Sequence, residues 1–137
     1  MTNMLDHFVG THEHSLDVKG RITLPARLRS SIGDSCVVAR SKYGDRCISV
    51  WRDSEFRQYS EELLANDLVD IDVRRSARIW SSEAFAAEID SNGRLALPLR
   101  LRSYAQLERD VLIIGAIDTI EIWSPENWNA FRGVDDV

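Results

Sequence analysis

One stretch of this chain occurs twice. Residues 17–30 read Asp-Val-Lys-Gly-Arg-Ile-Thr-Leu-Pro-Ala-Arg-Leu-Arg-Ser, and residues 90–103 read Asp-Ser-Asn-Gly-Arg-Leu-Ala-Leu-Pro-Leu-Arg-Leu-Arg-Ser. A shift of 73 makes nine of these fourteen positions identical, including Asp17 with Asp90, Gly20 with Gly93, Arg21 with Arg94 and Pro25 with Pro98. At a shift of 72 the likeness continues: Cys47-Ile-Ser-Val-Trp51 falls on Thr119-Ile-Glu-Ile-Trp123, Phe56 on Trp128 and Tyr59 on Phe131. Internal repetition constrains architecture more than any local propensity, because one unit must be solved twice and the two solutions must pack. The whole chain has 137 residues, so a unit of this size cannot close a core alone. The two copies are expected to share one pseudo-twofold core.

The unit reads in order as strand, turn, strand, helix, two strands and a helix. His14–Leu16 begins a strand. Asp17–Gly20 is a tight turn in which Asp accepts backbone amides ahead of it and Gly supplies a positive φ. Arg21–Leu24 returns as a strand with Ile22 and Leu24 on alternate positions. Pro25 opens a short helix, Ala26–Ile32, closed by Gly33. Strands Cys36–Arg40 and Cys47–Trp51 follow, and Asp53 or Ser54 caps a helix running to about Ala65. The second copy repeats the plan with strands Phe85–Ile89 and Arg94–Leu97, a Pro98-led helix through Tyr104, strands Val111–Ile114 and Ile120–Trp123, and a helix opened by Ser124-Pro125. Between them, residues 72–80 form a helix with Val73, Ala77 and Trp80 on one side and Arg74, Arg75 and Arg78 mostly on the other. The expected organisation is an extension over 1–7, a first repeat over 8–66, a connecting helix over 67–81 and a second repeat over 82–133. The fold class is mainly β with short helices (α+β), packed as one β-barrel-like domain.

Charge is unevenly spread. The net charge is −5, which excludes a uniformly basic nucleic-acid coat. Yet residues 17–46 carry seven cations against three anions, and residues 104–137 carry seven anions against two cations. A basic first half can present one cationic face to phosphates. Arginine heavily outnumbers lysine, and its planar fork meets guanine or phosphate with two bonds. A narrow turn fits a major groove about 12 Å wide. The residues expected to contact DNA are Lys19 at the first turn's apex, Arg21 on the returning strand, Arg27 and Arg29 on the short helix, and Asn92 and Arg94 in the second copy. Asp17, Gly20, Asp90 and Gly93 are expected to shape the turns, since a carboxylate repels phosphate. Asn92 in place of Lys19 makes the first copy the leading one.

Other chemistries find little footing. His12 and His14 alternate on a strand, but zinc wants further ligands at short range, so no metal and no cofactor are expected. Cys36 and Cys47 read as small core residues, and the four tryptophans as core or subunit contacts. No nucleophile elbow, phosphate-binding Gly loop or paired carboxylates are present, so no catalysis and no small-molecule substrate are expected. There is no run of 18 apolar residues, so no membrane-spanning segment is expected.

The doubled Asp-x-x-Gly-Arg turn, each followed by a short strand and a Pro-led helix, resembles the MraZ family, as does the stretch from Phe8 to Pro25. The likeness covers roughly residues 8 to 131. It implies a DNA-binding transcriptional regulator with two swapped-hairpin units of the AbrB type and ring-like homo-oligomers, cytoplasmic and associated with the nucleoid. It also implies binding to short repeated boxes upstream of the division and cell-wall gene cluster that holds the regulator's own gene, most simply as a repressor. The competing expectation is a ring-forming scaffold or an antitoxin-like protein-interaction domain without specific DNA binding.

Overall fold

The two copies interlock strand by strand. A computed structural model describes residues 7–67 and 70–133. The first copy supplies β1 (Thr11–Ser15), β2 (Arg21–Thr23), α1 (Ala26–Ile32), β3 (Ser35–Arg40), β4 (Ile48–Arg52) and α2 (Asp53–Asp67). A connecting helix α3 (Ile71–Ser82) leads to β5 (Phe85–Glu88), β6 (Arg94–Ala96), α4 (Leu99–Tyr104), β7 (Asp110–Gly115), β8 (Thr119–Trp123) and α5 (Pro125–Arg132). A six-stranded antiparallel sheet runs in the order β1-β7-β8-β4-β3-β5, and β2 and β6 form a separate two-stranded ribbon. The order is symmetric about the β8/β4 seam. There Ile48 faces Ile122 and Val50 faces Ile120.

The hairpins are exchanged between the copies, as the swapped-hairpin resemblance implies, and the returning strand read locally does not pair within its own copy. Strand β2 does not return along β1; β1 pairs with β7 of the other copy, while β2 pairs with β6. The turn itself is closed, with the Asp17 amide donating to the Arg21 carbonyl at 2.9 Å and the Gly20 amide to the Asp17 carbonyl at 3.0 Å. Beyond it the arms part. A three-residue β2 has too little surface to hold Ile22 and Leu24 against its own repeat, whereas across the pseudo-twofold Ile22 lies directly opposite Leu95, both fully buried. Each copy thus completes the other's core, which is why a unit too small to close alone can persist.

The packing takes the form of two layers rather than a closed barrel. The ribbon residues Ile22, Leu24, Leu95 and Leu97 pack with Val38, Val50, Ile113 and Ile120 on one face of the large sheet. On its other face α2 and α3 cover Ala39 and Trp51, and Trp128 of α5 packs with Cys47, Ile114 and Trp123. The aromatic pairs matched in sequence are matched in space. Phe56 and Tyr59 pack on Trp51 with centroids 6.0 and 5.3 Å away, and Trp128 and Phe131 on Trp123 at 5.3 and 5.0 Å. In the first copy Trp80 from α3 completes the cluster.

Most boundaries shift by a residue or two, as helix and strand ends do. Pro25 and Pro98 stand one residue before their helices, in extended backbone, and Pro125 is at the first helical position behind Ser124, whose side chain accepts the Asn127 amide. Helix α2 starts at Asp53 itself, whose carboxylate takes the Ser35 hydroxyl at 2.6 Å. Helix α3 starts behind Asp70, whose carboxylate accepts the Asp72 and Val73 amides. Phe8 is fully buried and exchanges two backbone bonds with Ile117. Apart from His7, the expected N-terminal extension lies outside the described residues, as does the acidic end over 134–137. Among the described residues no helix is long and apolar enough to cross a membrane.

Candidate nucleic-acid interface

Each turn is an aspartate cage. Asp17 Oδ1 accepts the Lys19 and Arg21 amides, both at 2.9 Å, and Oδ2 binds Arg21 Nε at 2.7 Å. Asp90 repeats this with the Asn92 and Arg94 amides at 2.9 Å and Arg94 Nε at 2.8 Å. Gly20 and Gly93 close the turns at φ +76° and +78°, a region that an L side chain enters only at a cost. The bond from the Arg21 amide, more than any other donor and against the opposing effect of burial, holds the Asp17 carboxyl below its usual value of 3.8. The Arg94 amide does the same for Asp90. Both carboxylates are therefore ionised at neutral pH, and each offsets its own arginine.

The ribbon orients those arginines. In an antiparallel pair, directly opposed residues share a face. Ile22 and Leu95 face the core, so Arg21 with Ala96 and Thr23 with Arg94 line the outer face. Thr23 and Ala96 are exposed, and the Arg21 and Arg94 side chains are about one-third exposed. The two arginines sit at diagonal corners, on the order of 7–8 Å apart for such a register, so both fit within one major groove. Their Nε atoms are committed to the aspartates, which fixes each guanidinium plane beside its turn. Lys19 is exposed at the first tip, next to a wholly exposed Val18.

Two arginines act across the pseudo-twofold, a relationship that sequence reasoning missed. Arg29 of α1 reaches the second turn, where Nη2 donates to the Ser91 carbonyl at 3.1 Å and lies 3.4 Å from that of Asp90. Arg102 of α4 lies over the first turn, where a Cβ on Gly20 would fall 2.5 Å from its Cζ. Its Nε donates to the Leu97 carbonyl at 2.8 Å. Arg29 is thus half-buried against the second turn, while Arg27 is exposed on α1. The structure brings Lys19 and Arg21 together with Arg102, and Asn92 and Arg94 together with Arg29. The signal available in sequence was the doubled Arg-x-Arg following each proline; what it lacked was the strand exchange that carries each helix to the opposite turn.

The remaining polar groups suit a scaffold. Burial, with Asp53 nearby, pushes the Cys36 thiol up to about 11, and burial raises Cys47 further. Both are protonated at neutral pH and poor nucleophiles. They also belong to separate clusters of the core, which leaves no redox pair.

Comparison with known proteins agrees with this duplicated architecture. A family model described as "MraZ protein, putative antitoxin-like" matches residues 7–79 and 81–133. Proteins called transcriptional regulator MraZ from Natranaerobius thermophilus and Heliobacterium modesticaldum are each 40% identical over 125 residues, covering 91% of this chain and 86% of theirs. One of the same name from Thermomicrobium roseum is 37% identical over 123 residues, covering 90% of this chain and 85% of its own.

Proposed function

The chain belongs to the MraZ family of transcriptional regulators, and from that premise we propose that it binds duplex DNA sequence-specifically through the outer face of the β2/β6 ribbon and its two turns. One observation carries the reading: Arg21 and Arg94 are fixed by their aspartates on the same exposed face, with Lys19 projecting from one end. Because Asp17 and Asp90 each offset an arginine, the charge that distinguishes the turns is Lys19 against Asn92. Lys19 and Arg27 serve phosphates, Arg21 and Arg94 serve base edges, and Asn92 serves an adenine edge or a sugar. Arg29 contributes beside Asn92, anchored on that turn.

The family resemblance extends the proposal to repeated boxes upstream of the division and cell-wall gene cluster that includes the protein's own gene. There it acts as a repressor by covering the promoter, and localises with the nucleoid in the cytoplasm. One short ribbon binds weakly, so a ring-like homo-oligomer raises the effective concentration of the second contact and reads several boxes together. The family is not one of enzymes, and no reaction is proposed.

The test is fluorescence anisotropy with DNA from upstream of the protein's own gene, against scrambled DNA, at several salt concentrations. Wild type is compared with Arg21→Lys and Arg94→Lys, which keep the charge and lose the fork. Loss of discrimination between the two DNAs, with weak binding retained, is expected. Equal and weak binding of wild type to both DNAs favours the second reading, a scaffold or antitoxin-like interaction domain, which the overall charge of −5 and the matched family description support.

A further inference from the structure

A cavity of about 430 Å³ opens behind the large sheet, between α2, α3, α4 and the segment joining β3 to β4. That size is ordinary for a small-molecule site. Leu63, Val73, Ala77 and Trp80 give it apolar walls, and Tyr59 and Tyr104 add aromatic ones. Two cations line it, Arg40 and Lys42, and they differ in state. Arg40 is already matched, with Nε 2.9 Å from Glu83 Oε2 in an ion pair and its guanidinium 5.2 Å from the Tyr104 ring.

Lys42 has no such partner: no carboxylate of the described residues forms an ion pair with it. Its half-buried ammonium instead rests on three rings, 4.5 Å from the centroid of Tyr59, 5.1 Å from Trp51 and 5.2 Å from Tyr43. Aromatic faces steady a cation without neutralising it, so the charge remains available to an anion entering the cavity. Asp72 also lines the cavity, but it is exposed in the first turn of α3 and screened by water. The apolar walls require a body to cover, and a free phosphate has none.

We propose that this cavity is a binding site for a small carboxylate with a flat aromatic body, its carboxylate on Lys42 and its ring against Trp80 and Ala77. The site is separate from the ribbon and does not depend on the DNA-binding reading. Arg102, which lies over Gly20, shares its short helix with Tyr104 of the cavity wall.

Indole-3-acetate is the probe, and its neutral counterpart indole-3-acetamide is the control. Both are titrated into the full chain while the Trp80 indole N–H resonance is followed by NMR; this N–H donates to the Arg40 carbonyl at 2.8 Å and so reports on the cavity edge. The acid is expected to shift that resonance saturably and to bind at least about tenfold more tightly than the amide, equivalent to about 1.4 kcal/mol. Lys42→Met, which keeps the apolar stem, removes the preference, and Ala77→Leu, which fills the cavity, weakens both ligands. No saturable shift at millimolar acid, equal affinity for acid and amide, or a preference that survives Lys42→Met each overturns the proposal. Ala77→Leu keeps the test decisive if Lys42→Met does not fold: undiminished binding to it places the ligand elsewhere.

Discussion

The guanidinium of Arg102 lies on Gly20, so that a β-carbon at residue 20 would stand 2.5 Å from Arg102 Cζ and 2.7 Å from Nε. A turn of the first repeat is therefore packed by a helix of the second, and Arg29 treats Gly93 in the same way, with Nη1 3.1 Å from where a β-carbon would be. Residue 20 needs glycine for its φ of +76°, and a β-carbon there would also displace the Arg102 guanidinium, the movable end of its side chain, from its place over the turn. Gly44 separates the two demands, since its φ is +82° but nothing lies within 4 Å of the place a β-carbon would take. Gly44→Ala is expected to cost about 1–2 kcal/mol of stability from backbone strain alone. Gly20→Ala should cost more, and the excess should vanish when Gly20→Ala is measured in an Arg102→Ala background. Urea unfolding of wild type, the two single variants and the double variant makes the cycle, and strict additivity would refute the coupling.

The difference between the two turns gives a prediction about salt. Lys19 carries a charge at the first tip where the second has Asn92, and each Asp–Arg pair is neutral by itself. Lys19→Ala is expected to reduce the slope of log affinity against log salt by about 0.9, the value of one phosphate contact. Asn92→Ala should leave the slope unchanged while weakening binding to the specific sequence. Equal slopes for wild type and Lys19→Ala would remove Lys19 from the interface.

The turns should also respond to acid in a defined direction. Asp17 and Asp90 are held below 3.8 by the amides and side chains of their arginines. A carboxyl whose folded value is depressed adds stability that is complete above its unfolded value and is lost as pH falls through the folded one. Carboxyl titration by NMR should therefore give midpoints below 3.8 for both residues. The Asp17→Asn deficit in stability at neutral pH should shrink toward zero below those midpoints. A midpoint above 3.8 would contradict the cage geometry.

Much of this architecture is legible in the residues themselves. The repeat, the order of elements, the positive-φ glycines and the aromatic matches Phe56/Trp128 and Tyr59/Phe131 all follow from local pattern, because each is set by neighbours within a few positions. The partner of β2 does not. Alternation places Ile22 on a buried face but is silent on which strand meets it, and in a duplicated chain the nearest strand and its pseudo-symmetric counterpart offer similar surfaces. The roles of Arg29 and Arg102 were hidden for the same reason. On an isolated helix they look like a solvated basic face, and only the strand exchange brings each to a foreign turn.

Close backbone approach was equally hidden at Gly115. Its hypothetical β-carbon would collide with Val9 N and Cα and with the Phe8 carbonyl carbon, where the segment bearing the buried Phe8 crosses the end of β7. A rotating side chain could yield; a backbone held by the Gly115 amide on the Gly10 carbonyl at 2.8 Å cannot easily do so. Gly115→Ala is expected to cost about 3 kcal/mol, at the upper end for overpacking, and to speed amide exchange at Ile117, which bonds the Phe8 carbonyl. A stability within about 0.5 kcal/mol of wild type would show that the segment gives way freely.

Glu121 offers the opposite pH dependence to the turns. It lies on β8 at the symmetric seam opposite Ser49, where burial raises its carboxyl above the usual 4.5 despite the Trp123 Nε1 bond to Oε1 at 3.0 Å. A carboxyl raised in the folded state binds its proton more tightly there than in the unfolded chain. Stability is therefore lost as pH rises from the unfolded value through the folded one, and the full penalty is present at neutral pH. Glu121→Gln keeps a carbonyl oxygen for the Trp123 indole and removes the charge. It should melt above wild type at neutral pH, and the gap should close as the pH is lowered below 4.5, where Glu121 is neutral in both states. Thermal unfolding of the two proteins across this range decides the matter, since a structural defect in the variant would lower its melting temperature at every pH.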